Sequence, residues 1–283
     1  MWEKVKDNPA IAFYSVAAFL GLSLLVTVLV DIFNIFGIKY WMVENLTIPY
    51  FWFYWFSMPV ENPLQWYLLG MTLIVFGSNA GRAYQNNDRQ AGPFWLLLSA
   101  GTMLMLVEDA GDVRHDVRNM VQRAAGEGGY GYAGTLFELG YFAVIGLLML
   151  FAVWRYRHVY WHRTHMRNYL FIGYVCYGLA VSASWIGSAF HSIIGFTVYE
   201  KAGVVILRGL FVRDQITMEA YQVASANRNI DFFFMDRLVE ESLELIGVAA
   251  LLTAGLFFYT QYRGRANDPS VAPQPATQVK KGV

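Results

Sequence analysis

Long apolar stretches alternate with shorter polar ones along most of this chain. The first stretch, from Ile11 to Val30, contains no charged residue and is closed by Asp31. Runs of about 20 mostly apolar residues match the thickness of a bilayer core, and they are too long for the strands of a membrane barrel. The pattern predicts six membrane-spanning helices, near residues 11–31, 66–84, 91–118, 135–156, 168–193 and 233–262.

The composition supports a membrane protein. Of the 283 residues, 56% are apolar and only 15% are charged, whereas soluble domains carry about 25% charged residues. Equal numbers of basic and acidic residues, 21 of each, provide no positive field for nucleic acid. A single cysteine, Cys176, excludes a disulfide scaffold. We expect an all-α integral membrane protein with one transmembrane domain over 1–265 and a disordered cytoplasmic tail over 266–283.

The connection between the fourth and fifth predicted helices is the most basic part of the chain. Short loops rich in Lys and Arg stay on the cytoplasmic side of a membrane. This loop, with an even number of helices, predicts that both termini are cytoplasmic. Its basic residues are Arg155, Arg157, Arg163 and Arg167, with His158, His162 and His165 between them.

Two outer connections are longer than turns require. Residues 34–65 include seven consecutive aromatic residues, Tyr50 to Phe56. Aromatic rings favour the headgroup level of a bilayer, so this segment is predicted to lie in the outer interface. It could alternatively form an entry gate for a lipid-like ligand. Residues 197–231 are predicted to form a partly helical outer cap, which could dock other subunits of a membrane complex.

Ionisable residues of four predicted helices fall at one depth, near the outer membrane boundary. Counting about 20 residues from the cytoplasmic end of each helix places them there. At about 100° per residue, those of the third helix share one arc of its surface. So many carboxylates would repel one another unless protons, arginines or a bound cation compensate. The group comprises Glu108, Asp109, Asp112, His115, Asp116, Glu138, His191, Asp236, Glu240, Glu241 and Glu244.

Some of these residues have the spacing of metal ligands. Asp112 and His115, like Glu241 and Glu244, lie three residues apart, as ligand pairs do in helical di-iron and di-manganese proteins. Oxygen and imidazole ligands suit iron, manganese or zinc, and suit copper or haem less. The hypothesis is a metal-dependent oxidoreductase acting on a hydrophobic substrate, with Asp109 or Glu240 relaying protons. The candidate metal ligands are Glu108, Asp112, His115, Glu138, His191, Glu241 and Glu244.

Two other functions stay open. The acidic cluster could be a structural latch that locks helices together in a non-catalytic subunit of a membrane complex. The chain could also be a cation or proton transporter, although the helices below the cluster carry few ionisable residues for a polar route.

The last predicted helix contains Val239-Glu-Glu-Ser-Leu-Glu-Leu-Ile-Gly247. This segment resembles the EExLExxG last helix of uncharacterised bacterial multi-pass membrane proteins, in which an earlier helix ends in an acidic run like Glu108 to Asp116. The resemblance implies a bacterial cytoplasmic membrane and no established activity. Glu241-x-x-Glu244 is also similar to the ExxE motif of iron permeases, which use two such helices where this chain has one.

Overall fold

The computed structural model describes residues 7–38, 41, 45, 62–125, 133–193, 201–203, 205 and 235–266. Helices and short turns account for this part of the chain, and it contains no strand. A π-helical turn, Val28–Ile32, continues α1, and another, Met235–Glu240, precedes α7. The helices are α1 Ala10–Thr27, α2 Asn62–Gln85, α3 Ala91–Gly111, α4 Val113–Ala125, α5 Ala133–Arg155, α6 Thr164–Ile193 and α7 Glu241–Ala266.

Four helical segments are long and apolar enough to cross a membrane. They are Ala10–Val30, Ala91–Gly111, Leu136–Arg155 and Leu238–Gln261. The all-helical membrane architecture expected from the sequence is therefore confirmed at this level. Helices α2 and α6 have 24 and 30 residues, about 36 and 45 Å of helix, so their length would also allow a crossing. The count of six spans and the orientation of the termini stay predictions.

Helix α7 is the centre of the bundle. In its most apolar window 67% of the residues are buried, against 17% in that of α5. Helix α2 packs along α7 and runs in the same direction. Residues later in α2 contact residues later in α7. These contacts join Gln65 to Glu244, Asn79 to Gly255, and Arg82 to Tyr259.

Helices α3 and α6 run opposite to α7. The rings of Trp95, near the start of α3, and Phe258, near the end of α7, have centroids 4.9 Å apart. Tyr169, early in α6, stacks on Phe257 at 5.7 Å and also meets Phe13 of α1 at 5.2 Å. The start of α1, the end of α7 and the basic connection before α6 therefore lie together, at what we term the basic end of the bundle.

The backbones of α6 and α7 approach closely at two glycines. A Cβ atom added at Gly247 would lie 3.2 Å from the carbonyl oxygen of Gly173 and 3.2 Å from the amide nitrogen of Tyr177. Small residues permit such contacts between membrane helices. Because of this contact, Tyr177 of α6 lies beside the first turns of α7.

The single helix predicted over 91–118 is two helices in the structure. Asp112 separates α3 from α4 and adopts left-handed backbone angles, φ 47° and ψ 32°, which Asp tolerates better than most residues. Because the helix is broken there, α4 does not continue the face of α3. The common arc inferred for Glu108, Asp112, His115 and Asp116 assumed a continuous helix and does not apply.

Candidate functional site: an acidic cavity

A cavity of about 230 Å³ lies between α3, α5, α6 and the start of α7. Side chains of α5 and α6 supply most of its apolar and aromatic wall, including Phe142, Met149 and Tyr174. On α7 the lining runs from Glu244 to Leu251, seven residues or about 10 Å of helix. We call this space the acidic cavity, after the four carboxylates that line it: Glu108, Asp109, Glu240 and Glu244.

The opposite directions of α3 and α7 bring these carboxylates together. Trp95 and Phe258 are in contact at the basic end. Fourteen residues separate Trp95 from Asp109, and fourteen separate Phe258 from Glu244, which is about 21 Å along each helix. Asp109 and Glu244 therefore reach the same level, at the end of the bundle opposite the basic end.

Glu244 of the acidic cavity contacts a polar side chain of α2. Gln65 of α2 is fully buried, and its Nε2 donates a hydrogen bond to Glu244 Oε2 at 2.6 Å. The same amide interacts with the hydroxyl of Tyr177. Glu241, Glu240 and Asp109 also interact electrostatically with Glu244. Removal of charge or hydrogen bonding at this residue would therefore affect three helices.

The acidic cavity opens between α5 and α6. Leu150 of α5 and Gly178 of α6 both line it, and both are also exposed on the outside of the bundle. Their exposed neighbours are large and apolar, among them Leu147 and Leu179. A surface of this composition is typical of helices that face lipid tails. Large apolar side chains therefore surround the opening.

The structure brings together part of the predicted site. Glu108, Asp109, Glu240 and Glu244 share the acidic cavity, and Glu241 lies close to Glu244 without lining it. Asp112, predicted as a metal ligand, is exposed at the break between α3 and α4.

Glu138 also lies apart from the acidic cavity. It is only 1% exposed, and its Oε1 accepts a hydrogen bond from Arg118 Nη1 at 3.1 Å. This ion pair joins α4 to α5. Arg118 therefore binds one of the predicted metal ligands. A guanidinium thus supplies the positive charge that the metal hypothesis assigned to an ion at Glu138.

Several predicted features fall outside the described residues. They are the side chains of His115, His191 and Asp236, the aromatic segment Tyr50 to Phe56, and residues 197–231 apart from 201–203 and 205. Within the part of the chain that is described, no three His, Cys, Asp or Glu side chains are placed to hold a metal ion. The histidine-containing metal site stays a prediction.

A polar stripe on α2 was not predicted from the sequence. Gln65, Thr72 and Asn79 recur every seven residues, and all three are fully buried. Asn79 Nδ2 donates to the carbonyl oxygen of Gly255 at 2.9 Å, so the stripe attaches α2 to α7 at both ends. The seven-residue spacing of polar residues in an apolar helix was the signal available. Gln65 was overlooked because the second helix was predicted to begin at residue 66.

Comparison of the chain with family models, with curated proteins and with solved structures gives no match. The resemblances based on Val239–Gly247 therefore stay predictions. Function has to be inferred from the chemistry of the acidic cavity itself.

Proposed function

We propose that this chain is a multi-pass membrane protein that binds a lipophilic molecule with a cationic head group in the acidic cavity. One observation carries the proposal: four carboxylates line a cavity whose remaining wall is apolar and aromatic. A ligand with one charged end and one apolar end matches both parts of this lining. Ligand sites commonly combine a hydrophobic wall with a few polar groups that orient the ligand.

Electrostatics favour a cation over a neutral or anionic head. Neighbouring carboxylates in a medium of low dielectric constant repel one another, and a positive group among them interacts favourably with each. The volume supports a small head group and part of a chain, because 230 Å³ exceeds the cavity of about 150 Å³ that holds a benzene molecule.

The opening between α5 and α6 supports entry from the bilayer. Leu150, at this opening, is 58% exposed, so a ligand dissolved in lipid could pass its apolar end directly into the acidic cavity. The basic end lies at the other end of the bundle. Since basic loops stay in the cytoplasm, the acidic cavity would face the outer side of the membrane, here taken as the bacterial cytoplasmic membrane.

The first test compares three probes of equal chain length: decylamine, decanol and decanoate. Purified protein in lipid nanodiscs is titrated with radiolabelled decylamine, and empty nanodiscs give the partitioning background. We expect saturable binding of one decylamine per chain. Unlabelled decanol should compete more weakly, and decanoate least. Equal competition by all three probes would contradict the proposed role of the carboxylates.

A pair of glycine variants tests the location. Gly146 and Gly140 both lie on α5, and a Cβ atom added at either would meet no atom within 4 Å. Only Gly146 lines the acidic cavity. Gly146→Leu should fill it and abolish decylamine binding, while Gly140→Leu should bind normally. The proposal fails if both variants bind alike.

Glu244→Gln tests the charge. Hydrogen bonds to charged groups contribute about 1.5–3 kcal/mol, and 1.4 kcal/mol changes affinity tenfold. The variant should therefore bind decylamine at least about tenfold more weakly, with a much smaller change for decanol. A matching loss for both probes would indicate damage to the fold instead.

The metal-dependent oxidoreductase, the structural latch and the transporter remain predictions from the sequence. Elemental analysis of protein purified without chelators tests the first. A stoichiometric transition metal that is lost in His115→Ala and His191→Ala variants would favour it over the ligand-binding proposal.

A further inference from the structure

The connection between α5 and α6, which we term the basic turn (residues 155–167), carries a concentrated positive charge. No Asp or Glu occurs in the sequence between Glu138 and Glu200. Arg155 and Arg157 are exposed. Three histidines of the same turn are exposed as well: His158, His162 and His165. This segment therefore contains no carboxylate that would compete with a bound anion for the basic side chains.

The backbone of the basic turn is held against the core. Tyr160 is buried, its hydroxyl donates to the carbonyl oxygen of Val153 at 3.2 Å, and its ring stacks on Phe94 at 5.8 Å. Val159 beside it is also buried. Ligand binding to a fixed backbone avoids the entropic cost of ordering a loop.

Three arginines of the basic turn lie near aromatic rings, and the guanidinium carbon of Arg163 is 4.6 Å from the ring centroid of Phe258. The guanidinium carbon of Arg155 is 5.4 Å from the ring centroid of Tyr156, and that of Arg167 is 5.6 Å from that of Trp161. Such contacts restrict the motion of the side chain. Guanidinium groups match the oxygens of phosphate in geometry and charge.

Two exposed tryptophans indicate that a phosphate bound by the basic turn would belong to a lipid headgroup. Trp154 directly precedes the basic turn and Trp161 lies within it, and they are 70% and 54% exposed. Exposed tryptophans at helix ends lie at the headgroup level of a bilayer. We propose that the basic turn binds the phosphate group of an anionic phospholipid in the leaflet at the basic end. This site is separate from the acidic cavity and does not depend on its function.

Native mass spectrometry of the whole protein tests this proposal. Protein in detergent is mixed with dioleoyl phosphatidylglycerol and, separately, with dioleoyl phosphatidylcholine at equal concentration. We expect higher occupancy of the anionic lipid. Arg155→Gln and Arg157→Gln should each lower its apparent affinity about fivefold, the effect of one basic residue at an anionic surface.

Arg123→Gln is the matched control, because Arg123 is also exposed but lies on α4, outside the basic turn. It should leave phosphatidylglycerol binding unchanged. Equal occupancy of the two lipids, or an equal loss in Arg123→Gln, would overturn the proposal. So would complete displacement of the lipid by an equal concentration of inorganic phosphate, which would indicate a simple anion site.

Discussion

The ion pair between Arg118 and Glu138 permits a quantitative prediction. Arg118→Met removes the guanidinium that binds the Glu138 carboxylate, which is 1% exposed. Glu138→Gln removes the other charge and leaves a guanidinium that is 23% exposed. Because only the guanidinium can reach solvent, the two substitutions should differ in cost, with Arg118→Met the more destabilising.

The magnitudes follow from this difference in burial. Removing one partner of a buried ion pair typically costs about 3–5 kcal/mol. Arg118→Met should fall near 3 kcal/mol, since the pair is buried on one side only. Glu138→Gln should cost about 1.5 kcal/mol, the lower value for a hydrogen bond to a charged group. The double variant should cost less than the sum, with a coupling of about 0.5–3 kcal/mol.

Thermal unfolding in detergent, followed by tryptophan fluorescence, measures these effects. For a domain of 150–250 residues, 3 kcal/mol corresponds to roughly 6–12 °C. Arg123→Met, an exposed arginine on the same helix, controls for the loss of charge and should unfold with the parent. An Arg118→Met protein as stable as the parent, or a Glu138→Gln protein less stable than Arg118→Met, would refute the reasoning.

Three further outcomes are expected. Gly247→Ala places a methyl group 3.2 Å from the backbone of Gly173. It should lower the unfolding temperature, because overpacking costs about 1–3 kcal/mol. Gly70→Ala is the control and should leave the unfolding temperature unchanged, because its methyl group meets no atom within 4 Å. Tyr160→Phe should cost about 1 kcal/mol in thermal unfolding, through its lost hydrogen bond. Burial raises the pKa of Tyr160 above 10, against the opposing charge of Arg157. The Tyr160 hydroxyl therefore ionises at a lower pH in the unfolded protein than in the folded protein, so the free energy of unfolding should fall as the pH rises above 10. This alkaline loss of stability should be smaller in Tyr160→Phe.

The apolar periodicity was sufficient to predict the class of this protein. Uninterrupted runs such as Ile11 to Val30 leave few alternatives to membrane helices, because chain length and bilayer thickness must match. The same counting predicted that acidic residues of the third and sixth helices share one depth. In the structure, Glu108, Asp109, Glu240 and Glu244 line one cavity.

Only the tertiary structure decided which of these residues face one another. The break at Asp112 depends on backbone angles, which an apolar pattern does not encode, and it removed the face assumed for α4. The partner of Glu138 could not be predicted either, since Arg118 comes from a separate helix.

Depth is a one-dimensional property that residue counting along a helix provides. The neighbours of a side chain depend in addition on helix rotation and on which helices pack together. Close contacts such as that of Gly173 with Gly247 determine both the rotation of a helix and its neighbours. Backbone approach at small residues decides which face one membrane helix presents to the next. The sequence thus determined that a band of carboxylates exists, and packing decided that four of them line one cavity.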